Sequence, residues 1–370
     1  VAILLPNLDK DQRRLLQELR RSGPLSRSSL AARLETGAAA LTRLSRDLLA
    51  QDLIEEMAES PEARRGRPAI PLRIAPRGGY AVGATVHKGE FELALVDFSG
   101  AIIARHRETS DPLDPQAFAR RVRRITYELV DAHDLLGARM LGVGIAVPGP
   151  PLEADYERWG VVLDMPGWRA APLRAILGSE LGWPLWIEND ANAAAIAEFY
   201  TGGYVRECDT LAVILFGYGV GAGVIAGGRL RPGQFGSAGE IGCLFPLSRP
   251  RPSPLDLLAN LQAAGCAIPS LDAIALADPA QRDVIERWMD RAASQLEIVC
   301  NTAFAWLDPG AIVLSGTLPA AILDGLEQRL RAAALVTISD GRGPVVRASR
   351  LAGSPITLGA ALLPVHALSS

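Results

Sequence analysis

The chain is poor in the residues that staple or plate a fold. Of its 370 residues only four are cysteine (Cys208, Cys243, Cys266, Cys300) and four are histidine (His87, His106, His133, His366). No C-x-x-C or H-x-x-x-H spacing occurs, which excludes a disulfide framework and a standard zinc site and leads us to expect a reducing, cytoplasmic setting. Lysine is nearly absent: Lys10 and Lys88 are the only two, and the other 36 basic residues are arginine. The start of the chain carries no secretory pattern. One uncharged stretch, Thr210 to Gly228, is long enough to raise the question of a membrane span. Six of its residues, beginning at Gly217, are glycine, which points instead to strands broken by a tight turn, so no membrane contact is expected. Hydrophobic residues make up 49% and charged residues 21%, with a mean hydropathy of +0.16, which excludes a disordered chain and predicts a globular protein with a large core.

Charge is unevenly spread. Residues 1–77 hold 14 Arg/Lys against 10 Asp/Glu, a net of +4, while the remainder holds 24 against 31, a net of −7. A basic head on an acidic body predicts an anionic partner for the head alone. Within that head, residues 9–21 place Leu15, Leu16 and Leu19 on one helical face, and Gly23-Pro24 ends the helix. Ser26 is placed to cap a second helix. After a tight connection at Glu35-Thr36-Gly37, a third helix over 38–51 buries Leu41, Leu44 and Leu48. Next come a strand, an arginine-rich tip and a return strand. Three helices and a hairpin make a winged helix-turn-helix, with residues 1–77 as one domain and 78–370 as the next.

For such a head, operator DNA is the expected partner. Thr42, Arg43 and Arg46 lie on the open face of the third helix, facing a major groove, with Ser26 and Arg27 at the start of the second. The tip residues Arg64, Arg65 and Arg67 bring three guanidinium groups on a thin backbone, a form suited to the negative potential of a narrow minor groove. The plainer alternative is a three-helix interaction module with a solvated basic loop.

From Gly78 onward the pattern changes to α/β. Strands are expected near 80–86, 91–97 and 101–107, followed by an amphipathic helix over 115–134 and a buried strand at MLGVGIAVPGP. WIENDANAAAIAEFY then reads as a strand running into a helix. A second glycine-bearing hairpin follows, then a mainly helical stretch over 254–307 and a late strand at AIVLSG. Two halves, each a meander followed by helices, predict a duplicated α/β domain of two lobes with a cleft between them.

Five segments, in order, carry a resemblance: GVGIAVPGP, DMPGWRAAPL, WIENDANAAAIAEF, GYGVGAGVIAGGRLRPGQFGSAGEIG and DPGAIVLSG. Together they resemble the ROK family (repressor, open reading frame, kinase), whose sugar kinases share the actin-like ATPase fold. With the winged helix, the likeness is to its repressor branch, the xylose and N-acetylglucosamine regulators. The resemblance implies that Asn189 and Asp190 bind a sugar, Asp190 matching the residue that deprotonates a sugar hydroxyl in family kinases, and that Glu240 is a further ligand contact. The plainer readings are a helix N-cap for Asp190 and a surface turn for Glu240.

Where the sequence departs from the family, the departures cluster on the phosphate side. The family's D-x-G-G-T loop binds magnesium-phosphate, but here Thr85 stands in place of the Asp, with His87 and Lys88 in place of the two glycines. Its second phosphate loop, G-T-G-x-G-A-G, reads Gly217-Tyr218-Gly219-Val220-Gly221-Ala222-Gly223. The family's zinc ligands are lost too: Cys243 takes the His position and the following segment has no cysteine. The expectation is therefore a DNA-binding transcriptional repressor whose kinase-like body senses a sugar and acts as a homodimer or homotetramer, with no catalysis, cofactor or metal. The alternatives are a sugar kinase with a fused DNA module and a ligand-independent DNA-binding protein with a decayed pocket.

Overall fold

The computed structural model describes residues 6–57, 70–86, 89–153, 155–161, 165, 167–246 and 248–369. The chain divides into two compact units. One comprises Val1–Ile145, Leu163–Ile187 and Ala360–Ser370, the other Ala146–Val162 and Glu188–Gly359.

The first unit opens with the expected helices α1 (Lys10–Ser22), α2 (Arg27–Arg33) and α3 (Ala38–Ala50), then the short antiparallel strands β1 (Ile54–Glu56) and β2 (Leu72–Ile74). Asp9 and Gln12 form a reciprocal cap on α1: the Gln12 N–H donates to Asp9 Oδ1 at 2.8 Å and the Asp9 N–H to Gln12 Oε1 at 3.0 Å. Leu15, Leu16, Leu19, Leu30, Leu41, Leu44 and Leu48 are buried and form the small core of this module. The wing tip, with Arg64, Arg65 and Arg67, lies outside the described residues.

Arg20 fastens this module to the rest of its unit. Its guanidinium donates to the carbonyls of Phe98 at 2.7 Å and Ser99 at 3.3 Å and to Ser369 Oγ at 2.9 Å, and it lies 4.8 Å from the centre of the Phe98 ring. Arg139 adds a bond to the Gln51 carbonyl at 2.9 Å. Charge-assisted bonds of this kind, on a largely buried guanidinium, are among the stronger ones in a protein.

The meander follows as β3 (Tyr80–Val86), β4 (Glu90–Asp97) and β5 (Ile102–Thr109), then α4 (Pro115–Ala132), β6 (Met140–Val147), α5 (Leu173–Leu181) and β7 (Leu185–Asn189). The sheet order is β5-β4-β3-β6-β7. Asp114 caps α4, and Phe91, Phe118 and Trp168 stack with ring centres 5.5 and 5.3 Å apart. The second unit holds α6 (Asp190–Tyr200), β8 (Thr210–Phe216), β9 (Val220–Ala226), β10 (Arg229–Leu230), α7 (Pro254–Ala263), α8 (Pro279–Leu307), β11 (Ala311–Gly316), α9 (Ala320–Ala332) and β12 (Val346–Ala348), and α10 (Pro355–Ser369) ends the chain. Its sheet runs β10-β9-β8-β11-β12. In both sheets the third strand is outermost, followed by the second, first, fourth and fifth, which is the duplication expected from the two meanders. The core of the second unit packs α7, α8 and α9 on its sheet through Trp288, Met289, Leu296, Leu257, Leu326 and Phe216.

Among the described residues, no helix is long and apolar enough to cross a membrane. The stretch from Thr210 is the hairpin β8–β9, with Phe216 paired to Val220 across a three-residue turn.

Candidate ligand site and nucleic-acid surface

The candidate ligand site is built at the junction of β7 and α6. The strand ends on Asn189, which is the N-cap of α6: its Oδ1 accepts from the N–H groups of Ala191 at 2.8 Å and Asn192 at 3.3 Å. The capping role that the sequence offered to Asp190 thus belongs to its neighbour. Asp190 opens the first turn, with Oδ1 on the Ala191 N–H at 2.9 Å. A carboxylate there is favoured by the helix dipole. At the far end of α6, the buried Glu198 accepts from Ser315 Oγ at 2.6 Å, tying the helix to β11.

Glu240 comes from the loop after β10. Gly239, at φ +92°, brings that loop against β9: the Ala222 N–H donates to the Gly239 carbonyl at 2.8 Å, and a Cβ on Gly239 would lie 1.9 Å from the Ala222 oxygen. Just beyond Glu240, Arg251 donates to the Gly242 carbonyl at 2.5 Å. Asp256 anchors that stretch, accepting from Trp288 Nε1 at 3.1 Å, from the Arg251 N–H at 3.3 Å and from Arg291. Protein hydrogen bonds therefore hold the segment in which the sequence lacks the family's metal ligands. Among the described residues, no group of three or more His, Cys, Asp or Glu side chains could hold a metal ion, and Cys243 is exposed.

Asp190 keeps some exposed surface, but its carboxyl is deeply enclosed. Burial pushes it up to about 7, opposed by the Ala191 N–H and reinforced by the Glu240 carboxylate. Burial also raises Glu240. Two residues that the sequence reading missed join the site. Glu188, raised by burial against the pull of its hydrogen bonds, accepts from Asn192 Nδ2 at 3.0 Å and the Asn189 N–H at 2.8 Å. The signal was there in E-N-D-A-N, since Glu188 and Asn192 are four residues apart across the strand-to-helix junction. Tyr156 lies near Glu188, whose carboxylate adds to the rise that burial causes in the phenol, and its hydroxyl approaches Gly236.

The glycine loop has a packing explanation as well as a ligand one. A Cβ on Gly223 would lie 2.5 Å from the Ala191 oxygen and one on Gly221 3.3 Å from Ala191 Cβ, because α6 presses on β9. A Cβ on Gly217 would come to 3.6 Å from Asp190 Oδ2, whereas Gly219 has open space. Thr85 is 1% exposed at the end of β3, paired across to Glu92, and Tyr218 is half-buried in the hairpin turn. His87 and Lys88 lie outside the described residues.

On α3, Ala38, Ala39, Thr42, Arg43 and Arg46 are exposed. Neither Arg43 nor Arg46 meets an acidic partner among the described residues. Thr42 Oγ1 donates to its own helix at Ala38 O, 2.8 Å away. Ser26 caps α2, accepting from the Ser29 N–H at 3.1 Å, and Arg27 pairs with Glu56 at 2.6 Å. These two residues therefore hold intramolecular partners at the edge of the surface.

Comparison with known proteins places this geometry. The chain is similar to the Escherichia coli DNA-binding transcriptional repressor Mlc, at 28% identity over 62% of this chain and 55% of that protein. The alignment thus spans just over half of the repressor's length. Among solved structures, a ROK family transcriptional regulator described as a homologue of the same repressor matches with a TM-score of 0.70 and 23% identity, covering 97% of this chain and 96% of that one. A ROK family glucokinase from Streptomyces griseus, solved with glucose and AMPPNP, matches with a TM-score of 0.57 and 23% identity over 77% of this chain and 99% of the kinase. The fold is that of ROK regulators and sugar kinases, the actin-like ATPase fold, and residues 80–254 of the chain match the ROK family.

Proposed function

We propose that the chain is a cytoplasmic DNA-binding transcriptional repressor whose ROK domain senses a sugar and alters operator binding. The observation that carries this reading is the exposed face of α3, where Arg43 and Arg46 have no acidic partner among the described residues, on a winged helix joined to a ROK domain. The wing arginines Arg64, Arg65 and Arg67 complete the proposed DNA contact. Operators read by such modules are two-fold sites, which fits a homodimer or homotetramer. Ligand held by Asn189, Asp190 and Glu240 would shift the population between two states of the protein. DNA affinity would change by the ligand's differential affinity for them.

In this reading the protein transfers no phosphate. Phosphoryl transfer depends on placing the nucleotide and neutralising its charge. Thr85 in place of a carboxylate and Tyr218 in place of a small hydroxyl both work against that, even though Asp190, pushed up to about 7, has the character of a base. A gel-shift titration of the purified chain against the DNA upstream of its own operon tests the reading. Specific retention that survives excess competitor DNA supports it, and binding no stronger than to random DNA removes it.

A further inference from the structure

Helix α8 of the second unit changes character along its solvent-facing stripe. Between Arg282 and Asp290 its exposed positions are all charged: Arg282, Asp283, Arg287 and Asp290. From Ser294 to the end of the helix no exposed position is charged, and Ile298, Thr302, Ala305 and Trp306 recur at the spacing of a single helix face. Trp306 is 84% exposed and Ile298 67%. Beside them runs the segment after α9, fastened by the Val336 N–H, which donates to Asn301 Oδ1 at 3.0 Å, and it adds the exposed Val336 and Ile338. Nearby exposed charges are matched within the chain: Asp340 pairs with Arg342 at 2.6 Å and Asp290 with Arg329 at 2.7 Å. Singly exposed apolar side chains are ordinary, but a contiguous apolar face with a polar rim marks an interaction site.

We infer that a second copy of this chain covers this face, in a two-fold contact centred on Thr302 that sets Trp306 against Ile298 of the partner subunit. The face is its own complement. When α8 pairs with itself antiparallel, the positions four before and four after Thr302 meet, and both are large and apolar. It offers no charge of one sign for a partner of the opposite sign to match. An exposed Trp contributes about 150–250 Å² of contact area and is the residue type that most often anchors an interface. With its apolar neighbours it supplies on the order of half of the area that each partner gives a standard interface, ~800 Å². Winged helices that read two-fold operators need two copies, so the choice of occupant rests on the repressor reading proposed above.

Analytical ultracentrifugation of the full chain, alongside Trp306→Glu and Ile298→Glu, tests the inference. Wild type should sediment as a dimer or a tetramer. Either variant should raise the dissociation constant by about a hundredfold or more, because the new charge enters the contact twice, so that a dimer becomes a monomer and a tetramer halves. A second measurement stands apart from the folding of those variants. Thr302→Cys in a Cys243→Ser background should be joined to its partner by a short bismaleimide linker, whereas the background alone and Asp283→Cys, on the charged half of the same helix, should not. A wild-type monomer overturns the inference, and so does an oligomer whose mass both variants keep while Thr302→Cys stays unlinked. A monomer that still retains operator DNA specifically overturns the inference and leaves the repressor reading standing. A dimer linked through Thr302→Cys that binds no DNA specifically supports the inference and removes the repressor reading.

Discussion

The carboxyl-bearing junction of β7 and α6 and the glycine-bearing β8–β9 hairpin are built differently. On the carboxyl side, Asn189 caps α6, Asp190 shares the Ala191 N–H, Glu188 and Asn192 bond each other, and Arg251 and Asp256 brace the stretch after Glu240. In the β8–β9 hairpin the glycines remain but the group between them is a tyrosine, and Thr85, next to the last residue of β3, is buried. The contrast teaches that a retained glycine motif is a poor witness for phosphate binding. Gly223 is demanded by the approach of α6 whatever the ligand, and Gly221 sits close against Ala191. Gly219, with open space around it, carries no such packing demand.

The largest effect the contrast predicts is the absence of kinase turnover. With the magnesium-side carboxylate replaced and a phenol in the second loop, a coupled assay with ATP, magnesium and common hexoses, pentoses and amino sugars should stay at background. One missing electrostatic element alone typically costs about 10²–10³ in rate. Turnover near ~1 per second would collapse the distinction between the two sides.

Next in size is the loss of ligand response in Asp190→Ala. Removing one charged hydrogen bond to a ligand costs about 1.5–3 kcal/mol. Binding titrations should show the corresponding weakening while operator affinity without ligand stays at the wild-type level. Asp190 also makes the comparison pH-dependent. Its folded carboxyl holds a proton to about pH 7, whereas the unfolded one ionises near the ordinary carboxylate range. The folded state therefore binds more protons between about pH 4 and 7, and the contribution of this group to stability falls as pH rises through that window. Urea denaturation of Asp190→Asn should show a flatter pH profile than wild type there, with the variant gaining most above pH 7. An identical profile would place the carboxyl in an ordinary environment.

Gly223→Ala sharpens the packing half of the comparison. Its new methyl meets the Ala191 backbone, and overpacking of this kind costs about 1–3 kcal/mol. Gly219→Ala has open space around it and should stay within about 0.5 kcal/mol of wild type in the same urea titration. Equal effects at the two positions would mean that α6 does not dictate the motif.

Local signals made much of this legible in advance. Asp9, Ser26 and Asp114 mark helix starts that lie where expected, and the two meanders foretell the repeated sheet order. Where two cap-forming residues are adjacent, as at Asn189 and Asp190, sequence cannot say which one turns its oxygen to the helix. Long-range contacts were also hidden. Nothing near Arg20 announces that it binds the Phe98 carbonyl and Ser369, and nothing in the glycine run announces the pressure of α6. The pairing of Arg27 with Glu56, 29 residues away, was hidden in the same way.

The central claim is that one chain couples sugar binding to DNA release, and fluorescence anisotropy of a labelled operator fragment tests it most directly. Arg46→Ala, which removes an exposed cation from α3, is the control on the DNA side, with an expected loss of about 1–3 kcal/mol. The account predicts that wild-type protein changes its operator affinity when a sugar is added, at a concentration that leaves Asp190→Ala unmoved. An operator affinity that no sugar alters, or that responds equally in wild type and Asp190→Ala, would contradict it.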